Sequence, residues 1–421
     1  MRSNKVFPLI RWWFTPKFPE AQIEKALEYK PKGFYQQLRN IFRTWVAHPI
    51  KRRIAKYYLL FLQKLFGLTV VGITGSAGKT TTKEMLASIL KQKGKTVYSF
   101  ANIDPVYNIP STILKTRPTT KYLVLEMGVE YPGEMDFYLW LTKPDIGVIT
   151  NISDTHTEFF GNKKGVSKEK AKLVKKLSGR AYAVLNGEDS LCVKLGRNLR
   201  AKKIWFGKNS KIYSSKIEIT KNLKTKFVLV IDERKISIQL PIIGKQFAEN
   251  SLAAAAVGHI LGATPKEIKT GLEGFKPQEH RMQTFRLPNG ALVIDDTYNN
   301  NPEAAKRALV LLKKIAKYKK SILIFGDMLE LGTLSRSSHN EIGRLIGGTK
   351  VSFLITVGKL SRLAAKSAGK FMPKKHIISV ENSDEVISNL PKITKNTLLF
   401  IKGSRSIGLE KVVSRLPQVV R

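Results

Sequence analysis

The nine residues TGSAGKTTT, Thr74 to Thr82, carry the strongest chemical signal in the chain. They lie between a short β-rich run, LTVVGI, and a helix-forming stretch, TTTKEMLASILKQKG, that ends at Gly94. Glycines let a backbone wrap a phosphate closely, and successive N–H groups at a helix start point positive dipoles at it. Gly75, Ser76, Ala77, Gly78 and Thr81 are the expected cradle. Lys79 would reach the outer phosphates of a bound nucleotide, and the Thr80 hydroxyl would hold Mg²⁺. The strict G-x4-G-K-[ST] spacing is not met, because Ile73 stands where the first glycine belongs. The correct strand and helix flanks favour phosphate binding over a chance glycine-rich turn. Glu126 ends a second β-rich run, YLVLEMG, where a carboxylate can share a magnesium with the phosphates. Taken alone, a glutamate after a strand is usually a solvated loop residue, and a lone histidine such as His156 is more often structural than a ligand.

These groups need a scaffold that brings strand ends together. From Leu68 onward strands alternate with helices, the signature of a mostly parallel α/β sheet. YLVLEMG and DIGVITNI both end in polar residues, and ligands of open α/β sheets gather at the carboxyl ends of strands. From Lys202 to Ile243 apolar and polar residues alternate with little helix signal, which predicts antiparallel hairpins appended to the sheet. Asn250 to Leu261, with four consecutive alanines, predicts a tightly packed helix. GFKPQ, Gly274 to Gln278, breaks the pattern; beyond it ALVIDD, a helix from Pro302, SILIFGD, FLITVG, HIISV and TLLFIKG restart the alternation. The expected fold class is α/β: a central P-loop ATPase domain with a mostly parallel sheet and an appended β region, then a Rossmann-like α/β domain. The second half lacks a dinucleotide glycine fingerprint. Three segments follow: a basic aromatic arm (1–66), the ATP-binding domain (67–276) and the C-terminal domain (277–421). The chain has no internal repeat and no low-complexity tract.

A chain of 421 residues exceeds one ordinary core, and 43% hydrophobic with 25% charged residues is ordinary for a globular protein. No run reaches the roughly 18 apolar residues of a membrane span, and the N-terminus shows neither a signal nor a transit peptide pattern. The single cysteine, Cys192, forms no internal disulfide, which suits a reducing cytoplasm. The expected location is cytoplasmic, with a peripheral position at the inner membrane face as a further option. Seventy-three Lys and Arg against 32 Asp and Glu give a net charge of +41. That excess attracts polyanions generally; its spread along the whole chain also fits a proteome-wide basic bias. No helicase or recombinase motif accompanies the P-loop, so specific nucleic-acid binding is not expected, and a nucleic-acid ATPase is the remote alternative. Residues 1 to 66 hold 14 Lys and Arg against three Glu, with Trp12, Trp13 and Trp45. Phe34 to Leu65 mixes aromatic and basic residues at loosely helical spacing. Two readings stand: a helix on an anionic membrane surface, or an arm packing its aromatic face on the body.

In order along the chain come TGSAGKTTT, LEMGVEYPGEM, TNISDTHTEFFG, KEKAKLV, VLNGED, ENSLAAAA, HRMQ, IDDTYNNNPEA, GDMLELG and IKGSRS. This series resembles the Mur ligase family, and DDTYNNNP with GDMLELG resembles its D-alanyl-D-alanine-adding branch. The resemblance runs from about Leu68 to the C-terminus.

The resemblance implies an ADP-forming acid–amino-acid ligase. ATP phosphorylates a substrate carboxylate, an amine attacks the acyl phosphate, and phosphate leaves. Two magnesium ions are implied, one held by Thr80 and Glu126, the second with help from His156. Lys170 matches a lysine that CO₂ carbamylates into a metal ligand; Lys168 and Lys172 leave that placement open by two residues. Lys79, His156, Lys170 and Arg281 are the implied catalytic group. Asn250 and Arg281 match nucleotide contacts, as do Asp296 and Tyr298. Asn102 and Asn108, Asn299 and Asn301, and Lys402, Ser404 and Arg405 are the implied substrate contacts. Implied partners are a carboxylate-bearing nucleotide-sugar peptide and D-alanyl-D-alanine, in cell-wall precursor synthesis. Domain closure would accompany catalysis. Two departures mark this chain: the loop FANIDPVYNIPSTIL has fewer asparagines than the family form, and residues 1–66 lack the uridine-binding domain. The second departure keeps open another acceptor for the same chemistry, such as a folate, cyanophycin-like or pseudomurein-type peptide.

Overall fold

The computed structural model describes Trp13 and residues 17–28, 33–100, 104–153, 157–316 and 320–419. The chain divides into two compact units. The first comprises Met1–Ser215, Val228–Ile238 and Glu249–Phe275; the second comprises Lys216–Phe227, Gln239–Ala248 and Lys276–Arg421.

The first unit is built on six strands: β1 (Thr69–Thr74), β2 (Thr96–Tyr98), β3 (Tyr122–Glu126), β4 (Ile146–Ile149), β5 (Tyr182–Asn186) and β6 (Lys202–Phe206). They order as β2-β3-β1-β4-β5-β6, every pair parallel. Parallel strands are covered on both faces, so the central ones read as unbroken apolar runs: β4 is buried at every position. β1 lies between β3 and β4, and Ile73 is in register with Glu126. The end of β1 therefore opens beside the end of β3, which is where the sequence places the phosphate loop and the acidic group. β6 is a difference from expectation. Its alternating pattern suggested a hairpin, but it extends the parallel sheet as an edge strand. β6 is exposed at Lys202 and Lys203, as an edge strand can be, and so lacks the unbroken apolar run that marks the central parallel strands. The appended β region is a separate three-stranded sheet of β7 (Ile212–Ile219), β8 (Thr225–Ile231) and β9 (Arg234–Leu240). Asp232 and Glu233, both at positive φ, make the tight two-residue turn between β8 and β9. The alanine-rich helix starts earlier than expected, at Lys245, and runs to Ile260.

Residues 34–66 are helical throughout: Phe34–Phe42, a π turn at Arg43–Ala47, and His48–Phe66. Gly67, at φ 63°, ends the last helix in the left-handed region that glycine enters without strain. The His48–Phe66 helix buries Pro49, Arg52, Ala55, Leu59 and Leu62. It packs against the Pro105–Ile113 helix, where Lys51 Nζ donates to Ser111 Oγ at 2.8 Å. Tyr58 Oη donates to the Thr116 carbonyl at 2.9 Å. The Arg52 guanidinium lies 3.7 Å from the Phe18 ring centre, and burial lowers its pKa to about 9. The helix thus packs on the body, but through a face without buried aromatics, whereas the packed-arm reading expected the aromatic face to be covered. Its outer face is open, with Tyr57 67% and Leu65 68% exposed. Among the described residues no helix is long and apolar enough to cross a membrane.

The second unit carries β10 (Gln283–Arg286), β11 (Leu292–Asp296), β12 (Lys320–Gly326), β13 (Phe353–Val357), β14 (Ile377–Val380) and β15 (Thr397–Lys402). Their order is β10-β11-β15-β12-β13-β14. Only β10 runs antiparallel, on β11. Its core gathers Val293, Ile322, Ile324, Ile355, Leu399 and Ile401 from the central strands. Asp296 and Lys402 are register partners at the carboxyl ends of β11 and β15.

Candidate active site

The phosphate loop leaves β1 at Thr74 and enters the Lys79–Lys91 helix through two glycines at positive φ, Gly75 at 151° and Gly78 at 81°. Neither position has room for a side chain. A Cβ on Gly75 would sit 1.9 Å from Thr150 Oγ1, and one on Gly78 would sit 2.3 Å from Asn250 Oδ1. Asn250 therefore lies directly over the loop. The loop is held from β4's end: Ser76 N donates to the Asn151 carbonyl and Ala77 N to Asn151 Oδ1, both at 2.9 Å. Lys79 Nζ folds back to the Gly75 carbonyl at 2.9 Å. Thr80 Oγ1 donates to Glu126 Oε1 at 2.9 Å. Lys83, fully buried one turn along, donates to the Ser99 carbonyl at 2.7 Å and pairs with Glu84 at 3.0 Å and Glu126 at 3.8 Å. Thr81 is buried in the first turn of the helix.

Lys170 sits on the Lys163–Lys175 helix and is completely buried, and its Nζ has no hydrogen-bond partner. Burial, then the Lys79 cation, hold its pKa well below the usual lysine value, against the opposing charges of Glu169 and Glu134. Its neighbours differ. Lys168 is exposed, and Lys172 is tied at 2.6 Å to both Asp136 and Glu169. Of the three lysines, only Lys170 presents a buried amine that nothing answers. Glu169 cannot serve it, because Oε1 accepts from Gly133 N and Met135 N while Oε2 takes Lys172.

The structure brings Gly75, Ser76, Ala77, Gly78, Lys79, Thr80, Thr81, Glu126 and Asn250 together, and Lys170 lies close enough to Lys79 to feel its charge. His156 and Asn102 fall outside the described residues. Asn108 is buried in the Pro105–Ile113 helix, where its amide donates to the Phe100 carbonyl and accepts from Thr112 Oγ1. The first bond ties Phe100 to the helix, and the second lies within the helix.

In the second unit, Lys402 Nζ reaches Asp296 Oδ2 at 2.6 Å and the Asn299 carbonyl at 2.9 Å. The Arg281 guanidinium stacks 4.1 Å from the Tyr298 ring centre, and its Nε donates to Gln278 at 2.8 Å. Asn299 Oδ1 accepts from Asn300 N, and Asn301 caps the Pro302–Ile315 helix through Ala304 N. Ser404 Oγ accepts from Leu329 N, while Arg405 is exposed in a short turn. Sequence reasoning missed three groups here and at the loop. Asn151 holds the phosphate loop closed. His280 bonds Asp295 at 2.7 Å, and Asp327 accepts from Ser361 N at 2.6 Å. Asp295 is the penultimate residue of β11, Asp327 directly follows β12 and Asn151 lies just beyond β4, so position near a strand end was the available signal.

A phosphate loop after the central strand of a parallel sheet, with a Thr–Glu pair beside it, defines a P-loop nucleotide-binding α/β protein. The comparisons with known proteins narrow this. Residues 73–258 match the Mur ligase middle domain, and residues 280–405 match the Mur ligase, glutamate ligase domain. The UDP-N-acetylmuramoyl-tripeptide–D-alanyl-D-alanine ligase of Buchnera aphidicola (subsp. Baizongia pistaciae) is 34% identical over 361 residues, covering 83% of this chain and 75% of that protein. The Escherichia coli protein of the same name is 31% identical, covering 83% and 77%. The crystal structure of MurF from Acinetobacter baumannii superposes with a TM-score of 0.78 at 25% identity, covering 88% of this chain and 80% of that one. The chain belongs to the Mur ligase family.

Proposed function

We propose that this protein joins the carboxylate of UDP-N-acetylmuramoyl-tripeptide to the amino group of D-alanyl-D-alanine, with ATP split to ADP and phosphate. The relatives that share its middle and C-terminal domains carry that activity in their names. The γ-phosphoryl group passes to the carboxylate, the amine lone pair attacks the acyl carbon, phosphate leaves with the C–O bond electrons, and the nitrogen gives up one proton to water. The loop N–H groups and Lys79 orient the nucleotide, with Asn250 above Gly78. Arg281, Asp296 and Tyr298 are the nucleotide contacts of the C-terminal domain; Asn102, Asn108, Asn299, Asn301, Lys402, Ser404 and Arg405 serve the substrates.

The observation that carries this reading is Lys170. A buried cation without a partner is costly, so burial favours the neutral amine. A neutral amine can add to CO₂: its lone pair bonds the carbon, one C–O π pair moves to oxygen, and a proton leaves to water. The resulting carbamate is an anion facing the Lys79 charge, so the residues fit it. Thr80 and Glu126 offer adjacent hard oxygens, as a magnesium shared with phosphates requires. Among the described residues no three His, Cys, Asp or Glu converge. Thr80 and Glu126 would hold one ion, and the Lys170 carbamate with His156 a second. Bound magnesium supplies neutralisation of phosphate charge.

Within this reading the enzyme works in the cytoplasm, and residues 1–66 bring it to an anionic membrane surface. Phosphate release from ATP and Mg²⁺ tests the reaction, with UDP-N-acetylmuramoyl-tripeptide present and D-alanyl-D-alanine present or withheld. Release only with both is expected. A protein that binds ATP yet releases no phosphate with both would overturn the acceptor assignment and direct the search to other peptide carboxylates.

A further inference from the structure

The peripheral-contact reading above leaves open which surface does the binding. The helical stretch 34–66 answers it. The Phe34–Phe42 helix has no buried residue, and Phe34, Tyr35, Leu38, Ile41 and Phe42 all stand in solvent. On the His48–Phe66 helix the inner face is packed, but Ile50, Ile54, Tyr57, Phe61 and Leu65 are exposed at spacings of three and four residues. That spacing is one face of an α-helix. The helix is therefore apolar on two sides, and only one of them is used by the fold. Ten large apolar side chains along about 50 Å of helix exceed what a soluble surface ordinarily leaves open.

The charges beside this face decide the partner. Between Glu28 and Glu84 the chain has no Asp or Glu. Within 34–66 stand Arg39, Arg43, Lys51, Arg52, Arg53, Lys56 and Lys64. Arg52 is buried, Lys51 is tied to Ser111 Oγ and Arg53 to the Trp13 carbonyl, but Arg39, Arg43 and Lys64 are exposed and each adjoins an exposed apolar residue in sequence, so they point about 100° to its side. Long cationic side chains at that angle can lie along the apolar face and place their charge above it. A second copy of this chain would set these cations against themselves with no acid to answer them. Nucleic acid would satisfy the cations and leave the apolar row in water. A bilayer with anionic headgroups satisfies both, and the cations at 51–53 and 56 exclude a spanning arrangement, consistent with the absence of a crossing helix among the described residues.

A neighbouring feature has the same chemistry. Leu60, Gln63 and Lys64 form one wall of a cleft of about 690 Å³, whose other walls include Lys143, Lys176 and Arg180. Its one acid, Asp145, is engaged by Val70 N at 2.8 Å and by Gln63. We infer that the outer face of helices 34–66 docks in the plane of an anionic phospholipid bilayer, its apolar row among the acyl chains and its Lys and Arg side chains at the headgroup phosphates.

The test is co-flotation of the full chain with vesicles of phosphatidylcholine alone and of phosphatidylcholine with phosphatidylglycerol. Binding to the anionic vesicles, falling with added salt and absent from the neutral ones, is expected. Phe61→Glu with Leu65→Glu removes the apolar row, and Arg39→Glu with Arg43→Glu reverses charges; each pair should weaken partitioning by about tenfold or more. All four positions are exposed, so melting temperature should stay unchanged and confirm folding. Equal binding to neutral vesicles, no binding, or a dimer in light scattering that Phe61→Glu with Leu65→Glu abolishes would each overturn the inference. Phosphate release in solution without vesicles reports on the ligase reading separately.

Discussion

Lys170 in the P-loop unit and Lys402 in the C-terminal unit are both withdrawn from solvent, at 0% and 2% exposure. Lys402 is answered twice, by the Asp296 carboxylate at 2.6 Å and the Asn299 carbonyl at 2.9 Å. The sheet itself sets that pairing, because Asp296 and Lys402 are register partners on adjacent parallel strands. Lys170 is answered by nothing, and the nearest acid on its own helix, Glu169, is fully engaged elsewhere. A satisfied buried pair can be explained by architecture. An unsatisfied buried amine works against the fold by several kcal/mol if charged. It persists only if it is neutral or if chemistry converts it, and a carbamate does the latter.

The sharpest way to break this contrast is Lys170→Met, which keeps the volume and removes the amine. Activity in phosphate release should fall by about 10²–10³-fold, the range for loss of a group that stabilises transition-state charge. Stability in a thermal melt should hold or rise, because no buried amine remains to be desolvated. Wild-type activity should fall in CO₂-depleted buffer and return with bicarbonate, while Lys172→Met, two residues away, keeps that response. Lys170→Met within a few-fold of wild type would show that the amine has no part in the reaction.

Asp296→Ala makes the second unit resemble the first by stranding Lys402. Breaking one side of a buried pair costs about 3–5 kcal/mol, read as a lower urea midpoint. Adding Lys402→Met should recover most of the loss, since the penalty lies in the abandoned charge. A single-variant cost below about 1 kcal/mol would mean the pair is not structural.

Much of this was legible in the sequence because the signals were local. The phosphate loop, the strand runs and the restart of alternation after Gln278 each depend on neighbours within a few residues. The burial of Lys170, and not of Lys168 or Lys172, was also written there and went unread. Val166, Lys170, Leu173 and Val174 share helical spacing and are all buried, whereas Lys168 and Lys172, four apart, share the opposite face. What could not be read was non-local. Asn151 holds the loop because β4 lies next to β1, and β6 joined the main sheet through a pairing across residues 182–206. The sequence left both readings of 34–66 standing because periodicity reports amphipathicity and not which side is covered.

Glu134 offers the finest adjustment of the contrast, since its charge is one of those that raise the Lys170 pKa. It is 2% exposed, and Oε2 accepts from Glu130 N at 2.7 Å and Tyr131 N at 3.1 Å while Oε1 accepts from Gln22 at 2.8 Å. Burial outweighs these bonds and lifts its pKa from 4.5 to about 7. A carboxyl with a raised folded-state pKa contributes stability that is full below about 4.5 and is lost as pH rises through about 7. The total is at most roughly 3 kcal/mol at 1.36 kcal/mol per unit. Glu134→Gln keeps an acceptor and cannot ionise, so its stability should lack this fall. The wild-type-minus-variant difference in urea midpoint should therefore shrink or change sign between pH 5 and pH 8. A difference independent of pH would show that Glu134 stays ionised throughout, and the Lys170 amine would then face a stronger pull toward its protonated form than burial alone allows.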